Sequence, residues 1–287
     1  MVVRSVHDRR ELAELLRRDP TLHAYALGDL DDFFWPYTTW FRHGDALALV
    51  YHGGGVPTLL ALADRDGAED LADLLDGLLP LLPRRFYAHL SPGMDQVVGR
   101  QFRGEPGGPH LKMALTDTAR LDRVEPAGEL LSPADLAELE RLYDVAYPGN
   151  WFDRRMLETG QYVGVRRAGQ LLAVAGVHVW SPTYRVAALG NVTTRPDARG
   201  RGLATGAVAA LCRRLRETVD HVTLNVKADN AAALAVYTRL GFTPVAEYVE
   251  FTFTAVTDPV DHGRIRGISP RPANRPDDRD PERSMGL

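Results

Sequence analysis

The 287-residue chain has a single cysteine, no long apolar run and almost no surplus of either charge. One thiol, Cys212, excludes an internal disulfide and any cysteine cluster for zinc. Its place on the apolar stripe of a predicted helix makes it a buried, inert side chain, and no metal site is expected. No stretch reaches the roughly 20 apolar residues that a spanning helix needs, and the start, MVVRSVHDRRELAELL, is charged where a signal peptide is apolar. These absences predict a folded cytoplasmic protein. A net charge of −4 gives no general attraction to nucleic acid or anionic lipid, so neither nucleic acid nor membrane is expected as a partner.

What is present is 45% hydrophobic residues, enough for a sizeable core, arranged in three regions. Residues 1–118 read as a helix (DRRELAELLRRD), a Trp- and Tyr-rich segment (HAYALGDLDDFFWPYTTWF), a hairpin (ALALVYHGGGVPTLLALAD) and a second helix (DGAEDLADLLDGLLPLL). Residues 119–257 alternate strands and helices. Residues 258–287 are rich in Pro, Arg and Asp, hold no aromatic residue and are expected as a disordered tail. The first two regions echo each other. ELAELLRRD from Glu11 resembles DLAELERLYD from Asp135, and each region later reads strand, Gly turn, strand: LALVYHGGGVPTLLALA against YVGVRRAGQLLAVAGV. A duplicated fold with one half altered is implied.

Within the second half, a helix is predicted over Pro133 to Tyr147, strands at QYVGVRR, QLLAVAGVHVW and RVAALGNVTT, then a helix, the strand HVTLNVKA and the helix NAAALAVYTRL. FTPVAEYVEFTFTAV closes it as two short strands or one bent one. The result is an α/β (α+β) fold, a mixed and mostly antiparallel sheet of about six or seven strands flanked by helices. Between the third of these strands and its helix lies ARGRGLATG. Gly200 and Gly202 turn backbone N–H groups inward, and the helix that follows adds unpaired N–H groups and the positive end of its dipole, which together accept a phosphate. Gly53, Gly54 and Gly55 precede no helix and read as a hairpin turn.

These residues resemble the GCN5-related N-acetyltransferase (GNAT) family. Arg199, Gly202 and Ala204 match its Arg/Gln-x-x-Gly-x-Gly/Ala acyl-CoA signature, and DNAAALAVYTRLGF from Asp229 is similar to its second motif. AGVHVWSPTYRVAALGNVTTRPDARGRGLAT resembles the FR47-like branch, which includes proteins with a degenerate acetyltransferase half at the N-terminus. The resemblance implies two tandem GNAT-like halves, the first degenerate, and acetyl-CoA or another acyl-CoA as cofactor. The pyrophosphate is expected on the N–H groups of Gly200, Arg201, Gly202, Leu203, Ala204 and Thr205, with Arg199 and Arg201 on phosphate oxygens. The pantetheine arm would pair with the strand edge at Val192, Thr193 and Thr194, and Asn225, Asn230 and Tyr237 complete the cofactor set.

In the family the residue matching Tyr237 protonates the leaving thiolate, and a backbone N–H near Val192 holds the oxyanion. Many relatives carry a Glu on the fourth strand, but RVAALGNVTT has no acid. His178, on the strand before, is the candidate base, taking a proton directly or through water near pH 7; Glu250 and Glu247 are weaker candidates. Tyr143, Tyr147, Trp151 and Phe152 are candidate walls of an acceptor pocket. The expected activity is transfer of an acetyl or other short acyl group to a primary amine, a small molecule or amino acid. A protein lysine or N-terminus as acceptor, and a non-catalytic acyl-CoA sensor, remain the alternatives.

Overall fold

The computed structural model describes residues 2–53, 55–63 and 66–256. The expected tail, 258–287, lies outside the described residues. The chain begins β1 (Arg4–Val6), α1 (Arg9–Leu16), α2 (Ala24–Gly28), β2 (Thr38–His43), β3 (Ala46–Tyr51), β4 (Thr58–Ala61), α3 (Ala68–Leu78), β5 (Arg85–Leu90), α4 (Met94–Val98) and β6 (Phe102–Leu115). After the short α5 (Thr118–Asp122) it runs β7 (Glu129–Leu130), α6 (Leu136–Ala146), β8 (Val163–Arg167), β9 (Gln170–Ser181), β10 (Val186–Thr194), α7 (Leu203–Leu215), β11 (His221–Lys227), α8 (Ala231–Arg239) and β12 (Phe242–Ala255).

Local chemistry sets these boundaries. The Asp8 carboxylate caps α1 by accepting from the N–H groups of Arg10 and Glu11, and Leu12, Ala13, Leu15 and Leu16 form its buried stripe. In α3 the stripe is Leu71, Leu74, Leu75 and Leu78. In α7 it includes Ala207, Val208, Leu211, Cys212 and Leu215, which leaves Cys212 fully buried with its thiol pushed up to about 12. The capping box of Ser132 and Asp135 starts the segment leading into α6. Arg166 on β8 then clamps α6 to the sheet, through Glu138 at 2.8 Å and Asp135 at 2.7 Å.

All the strands join one sheet in the order β1-β2-β3-β4-β5-β12-β6-β11-β10-β9-β8-β7. Replacing each strand of the first half by its counterpart six later returns the same list in reverse. The two halves are therefore built alike and meet about a pseudo-twofold between β6 and β12. Every pairing is antiparallel except β4 with β5 and β10 with β11, which occupy equivalent places in the two halves.

The end of each half departs from the expected self-contained sheet of six or seven strands. No closing pair forms within the second half. Residues 242–255 are one long strand with register shifts after Pro244 and after Glu250, and its neighbours β5 and β6 both come from the first half. In turn, β6 lies between β12 and β11 of the second half. Each half thus completes the other's sheet, and the exchange is held by side chains: Phe253 of β12 stacks on Phe86 at 5.4 Å, inside the core that α3 and α4 cover.

Because β11 and β12 lack a common neighbour without β6, residues 119–256 produced alone are expected to give no cooperative melting transition, whereas residues 1–118 and 119–287 co-expressed as two chains should copurify as a folded pair. A native-like thermal transition of the isolated second half would show that β12 re-pairs within it.

Candidate active site

The parallel pairing of β10 with β11 runs only from Val186 opposite His221 to Leu189 opposite Leu224. Beyond it β10 continues beside β9 and β11 beside β6, so a cleft opens between the chain at Gly190–Thr194 and that at Asn225–Lys227. The turn of Gly200 and Gly202 follows the β10 side. Both glycines have positive φ, 75° and 73°, and a Cβ at either would meet nothing within 4 Å. The turn is open, and glycine is there for its conformation rather than to relieve crowding.

Gly202 caps α7 without any side-chain cap, and the first turn holds no acidic residue. The first backbone bond of the helix runs from the Gly206 N–H to the Gly202 carbonyl, which leaves the N–H groups of Leu203, Ala204 and Thr205 without an intrahelical acceptor. Arg199 lies across the turn, donating to the Thr194 carbonyl at 3.2 Å and the Ala146 carbonyl at 3.4 Å, and Arg201 donates to the Asp197 carbonyl at 3.1 Å. Both guanidiniums keep donors to spare. On the opposite wall, Asn225 Oδ1 is buried with no hydrogen-bond partner among the described residues. An orphaned carbonyl is costly unless a ligand donor meets it.

At the head of the cleft β10 carries an irregularity: Gly190 opposes Gly176 and Thr193 opposes Val174, so Asn191 and Val192 share one residue of β9. Asn191 has φ 55°, uncommon for a residue with a Cβ. Two tyrosines fix it. Tyr143 Oη on α6 donates to the Asn191 carbonyl at 3.0 Å, and Asn191 Nδ2 donates to Tyr162 Oη at 3.1 Å. Tyr143 is thereby part of the buried support of this bend, with the partly buried Phe152 ring 5.1 Å from it, while Tyr147 and Trp151 are the half-exposed residues of the expected acceptor wall.

Tyr237, on α8, is buried against Phe242, and burial raises its phenol above the ordinary value. Its hydroxyl makes no hydrogen bond to a described residue. Asn230 has a structural task as well, since its Oδ1 accepts from the Ala233 N–H as the cap of α8. The His178 ring lies on the backbone of Gly190, where a Cβ would stand 2.1 Å from it, and 6.1 Å from the Tyr25 ring. Burial pushes its imidazole down to about 4. That is far below the near-neutral titration expected from its sequence context.

Beside His178 runs a polar row that sequence reasoning did not assemble. Cross-strand register places Asn225 opposite Lys112, His110 opposite Tyr248, and Glu250 opposite His89. The Glu250 carboxylate accepts from Tyr248 Oη at 2.9 Å and from Tyr87 Oη, and faces His110 Nε2 at 3.2 Å and His89 Nε2 at 3.4 Å. Trp151 lies over Tyr87 with ring centroids 5.1 Å apart. The row draws on both halves, β5 and β6 from the first and β11 and β12 from the second. The only sequence signal was the alternation of polar residues in FYAHL and HLKMAL, which marks one face of a strand and not what it faces.

A glycine turn opening a helix, beside two parallel strands that part after four pairs, in a mostly antiparallel sheet flanked by helices, is an acetyltransferase fold of the GNAT class. A profile of the acetyltransferase (GNAT) family matches residues 129–242. The mycothiol acetyltransferase of Saccharomonospora viridis is 44% identical over 217 residues, covering 73% of this chain and 65% of that protein. That of Sanguibacter keddieii is 29% identical over 199 residues, covering 68% and 59%. The match spans less than two thirds of either relative's length. A solved tandem GNAT protein from the clavulanic acid biosynthesis pathway shares the fold, with a TM-score of 0.51 at 19% identity over 90% of this chain and 100% of the other. The second half of the chain, over residues 129–242, is thus similar to the GNAT acetyltransferase family, and the fold is that of a tandem GNAT protein.

Two outcomes follow from this geometry. Gly202→Asp should fold, at a cost of about 1 kcal/mol for a side chain at positive φ, and should weaken coenzyme A binding by at least about 100-fold in calorimetry because a carboxylate faces the phosphate position. Unchanged affinity would remove the phosphate assignment. For His178 the folded value lies below the unfolded one of about 6.5, so the unfolded chain binds more protons between the two. Stability is then full above pH 6.5 and falls as pH drops toward 4, by up to about 3 kcal/mol from this residue. Urea midpoints of His178→Gln measured at pH 7 and pH 4.5 should differ less than those of the wild type.

Proposed function

We propose that the chain transfers an acetyl or other short acyl group from acyl-CoA to a primary amine, and that the acceptor is a small molecule related to mycothiol. The observation that carries the reading is the open Gly200–Gly202 turn at the mouth of the β10–β11 cleft, together with a buried Tyr237 whose hydroxyl has no hydrogen-bond partner among the described residues. When bound there, acyl-CoA supplies an activated thioester. The N–H groups of Gly200 to Thr205 with Arg199 and Arg201 hold its pyrophosphate, Val192, Thr193 and Thr194 offer a strand edge to its arm, and Asn225 Oδ1 accepts from one of its amides. Asn230 stays a helix cap and borders the arm.

The bend at Asn191 presents the Val192 N–H where negative charge develops on the acyl oxygen, and Tyr143 and Tyr162 keep that donor from relaxing. Tyr237 Oη gives the proton that the departing sulfur needs, a role suited to a phenol that burial keeps protonated. His178, neutral above about pH 5, serves as a hydrogen-bond acceptor that guides the amine or a relaying water rather than as a strong base. Tyr147 and Trp151 close the acceptor side over the Glu250 row.

The first half is proposed as a degenerate partner, residues 1–118, to the catalytic residues 119–257. The place equivalent to the cleft is closed: the Ser91 N–H donates to the Ala61 carbonyl at 3.1 Å, and the Ala63 N–H to Ser91 Oγ at 2.8 Å. The helix that follows opens with Glu69 and Asp70, which repel a phosphate. The relatives' name is what points to a mycothiol-type acceptor.

The test is release of free thiol from acetyl-CoA with the amine precursor of mycothiol and a panel of other primary amines. Turnover with that precursor is expected. Tight acetyl-CoA binding with no release across the panel would identify an acyl-CoA sensor. Tyr237→Phe keeps the ring and should lower kcat by about 10² to 10⁴ with little change in KM for acetyl-CoA; full activity would make the tyrosine a packing residue.

A further inference from the structure

Among the described residues Asp29 is the one buried acid, 5% exposed at the end of α2. Its carboxylate accepts no hydrogen bond from a described residue and has no cation beside it, and burial alone raises its carboxyl well above the ordinary value. Both oxygens nevertheless touch open space, unlike the sealed Oδ1 of Asn225. A buried carboxylate without a counter-charge is strongly unfavourable, and a leucine at this position would avoid that cost.

The position of α2 brings this group to the junction of the two halves. Asp29 follows Tyr25 by one helical turn, its N–H donating to the Tyr25 carbonyl at 2.9 Å, so the two side chains share one face of the helix. The helix lies directly on β9: a Cβ on Gly28 would stand 1.8 Å from Val179 Cγ1, and the Tyr25 ring is 6.1 Å from that of His178. Burial raises the phenol of Tyr25, and the charges of Glu250 and Asp29 with the hydroxyls of Tyr237 and Tyr147 add to the effect. Burial raises Tyr51 as well, with Asp29 next in weight and the Arg155 guanidinium, four residues beyond Trp151, acting against it. The Tyr25 and Tyr237 hydroxyls and the His178 ring share the condition of Asp29: none has a hydrogen-bond partner among the described residues, and none is sealed from open space. Four unpartnered polar groups around one junction mark the place of a polar ligand.

From this arrangement we infer that Asp29 is the counter-ion of the acceptor: the amine to be acylated enters as a primary ammonium and donates to the Asp29 carboxylate, beside Tyr25 and His178. The inference rests on the acyl-transfer reading and names what its acceptor side recognises. Glu250 cannot take this part, because two phenols and two imidazoles already occupy its oxygens. Asp29 is the carboxylate left to spare. An alcohol in place of the amine would leave the buried charge unanswered, so the site selects amines over alcohols of the same shape. A cation beside the carboxylate favours the ionised form that burial opposes in the empty site. The residue that reads the acceptor is thereby contributed by the half that lacks the glycine turn.

The experiment uses the full chain, with and without coenzyme A, and compares propylamine with its neutral isostere 1-propanol by saturation-transfer NMR at matched ionic strength. Propylamine should give saturation transfer and 1-propanol none. Asp29→Asn keeps the shape and should weaken propylamine binding by about 10- to 100-fold, the loss of one charge-assisted contact, with coenzyme A affinity and melting temperature unchanged because the carboxylate holds nothing in the protein. Asp29→Ser should do the same, which covers the case in which the asparagine variant fails to fold. In turnover, Asp29→Asn should raise KM for the amine by about 10- to 100-fold and leave KM for acetyl-CoA alone. Equal binding of 1-propanol, no signal from propylamine, or a lowered melting temperature with propylamine binding unchanged would each overturn the assignment. Turnover with an unchanged amine KM would overturn it while leaving acyl transfer in place. Absence of turnover with every amine, with propylamine binding still dependent on Asp29, would overturn acyl transfer and leave the ammonium site standing.

Discussion

The pairing of β6 with β12, from Leu115 opposite Phe242 to Phe102 opposite Ala255, is the contact on which the rest of the molecule depends. Each of these strands is the last of its own half, and each is seated against the other half's parallel pair. Backbone hydrogen bonds along so long an antiparallel ladder, with Phe86, Phe102 and Phe253 packed together on one side, make the two halves a single cooperative body. The open cleft between β10 and β11 is affordable for that reason. β11 lacks β10 as a partner beyond Leu224, but it keeps β6 along Thr223 to Lys227.

The same ladder sets where charge can sit. A polar row on the central strands of a sheet would ordinarily be expensive, and here it is made tolerable by mutual satisfaction: one carboxylate, Glu250, is surrounded by two phenols and two imidazoles. Burial holds the His89 imidazole well below its ordinary value, helped by the ammonium of Lys112.

The elements of the proposed cofactor side were legible in the sequence because their signals are local. Arg199 to Thr205 lies within one turn, the helix stripe from Ala207 to Leu215 follows at once, and the Asn230–Tyr237 helix sits beside its own strand. The bend at Asn191 left no such trace, because what stabilises it is a hydroxyl from Tyr143, far away in sequence, and a second from Tyr162. The strand exchange was illegible for a related reason: period-two alternation says that 242–255 is a strand and not whose neighbour it becomes. Glu250, His89, His110 and Lys112 come together only through that choice of neighbours.

The pseudo-twofold between β6 and β12 has an evolutionary consequence. The elements proposed to meet the cofactor are encoded downstream, while Tyr25, Tyr87, His89, His110 and Lys112, on the strands and helix of the other half, are encoded upstream. Mutations of one stretch of the gene can therefore alter that face without disturbing the Gly200–Gly202 turn. A duplicated copy relieved of its own chemistry becomes raw material for selectivity, and the shared ladder keeps it in register while it drifts.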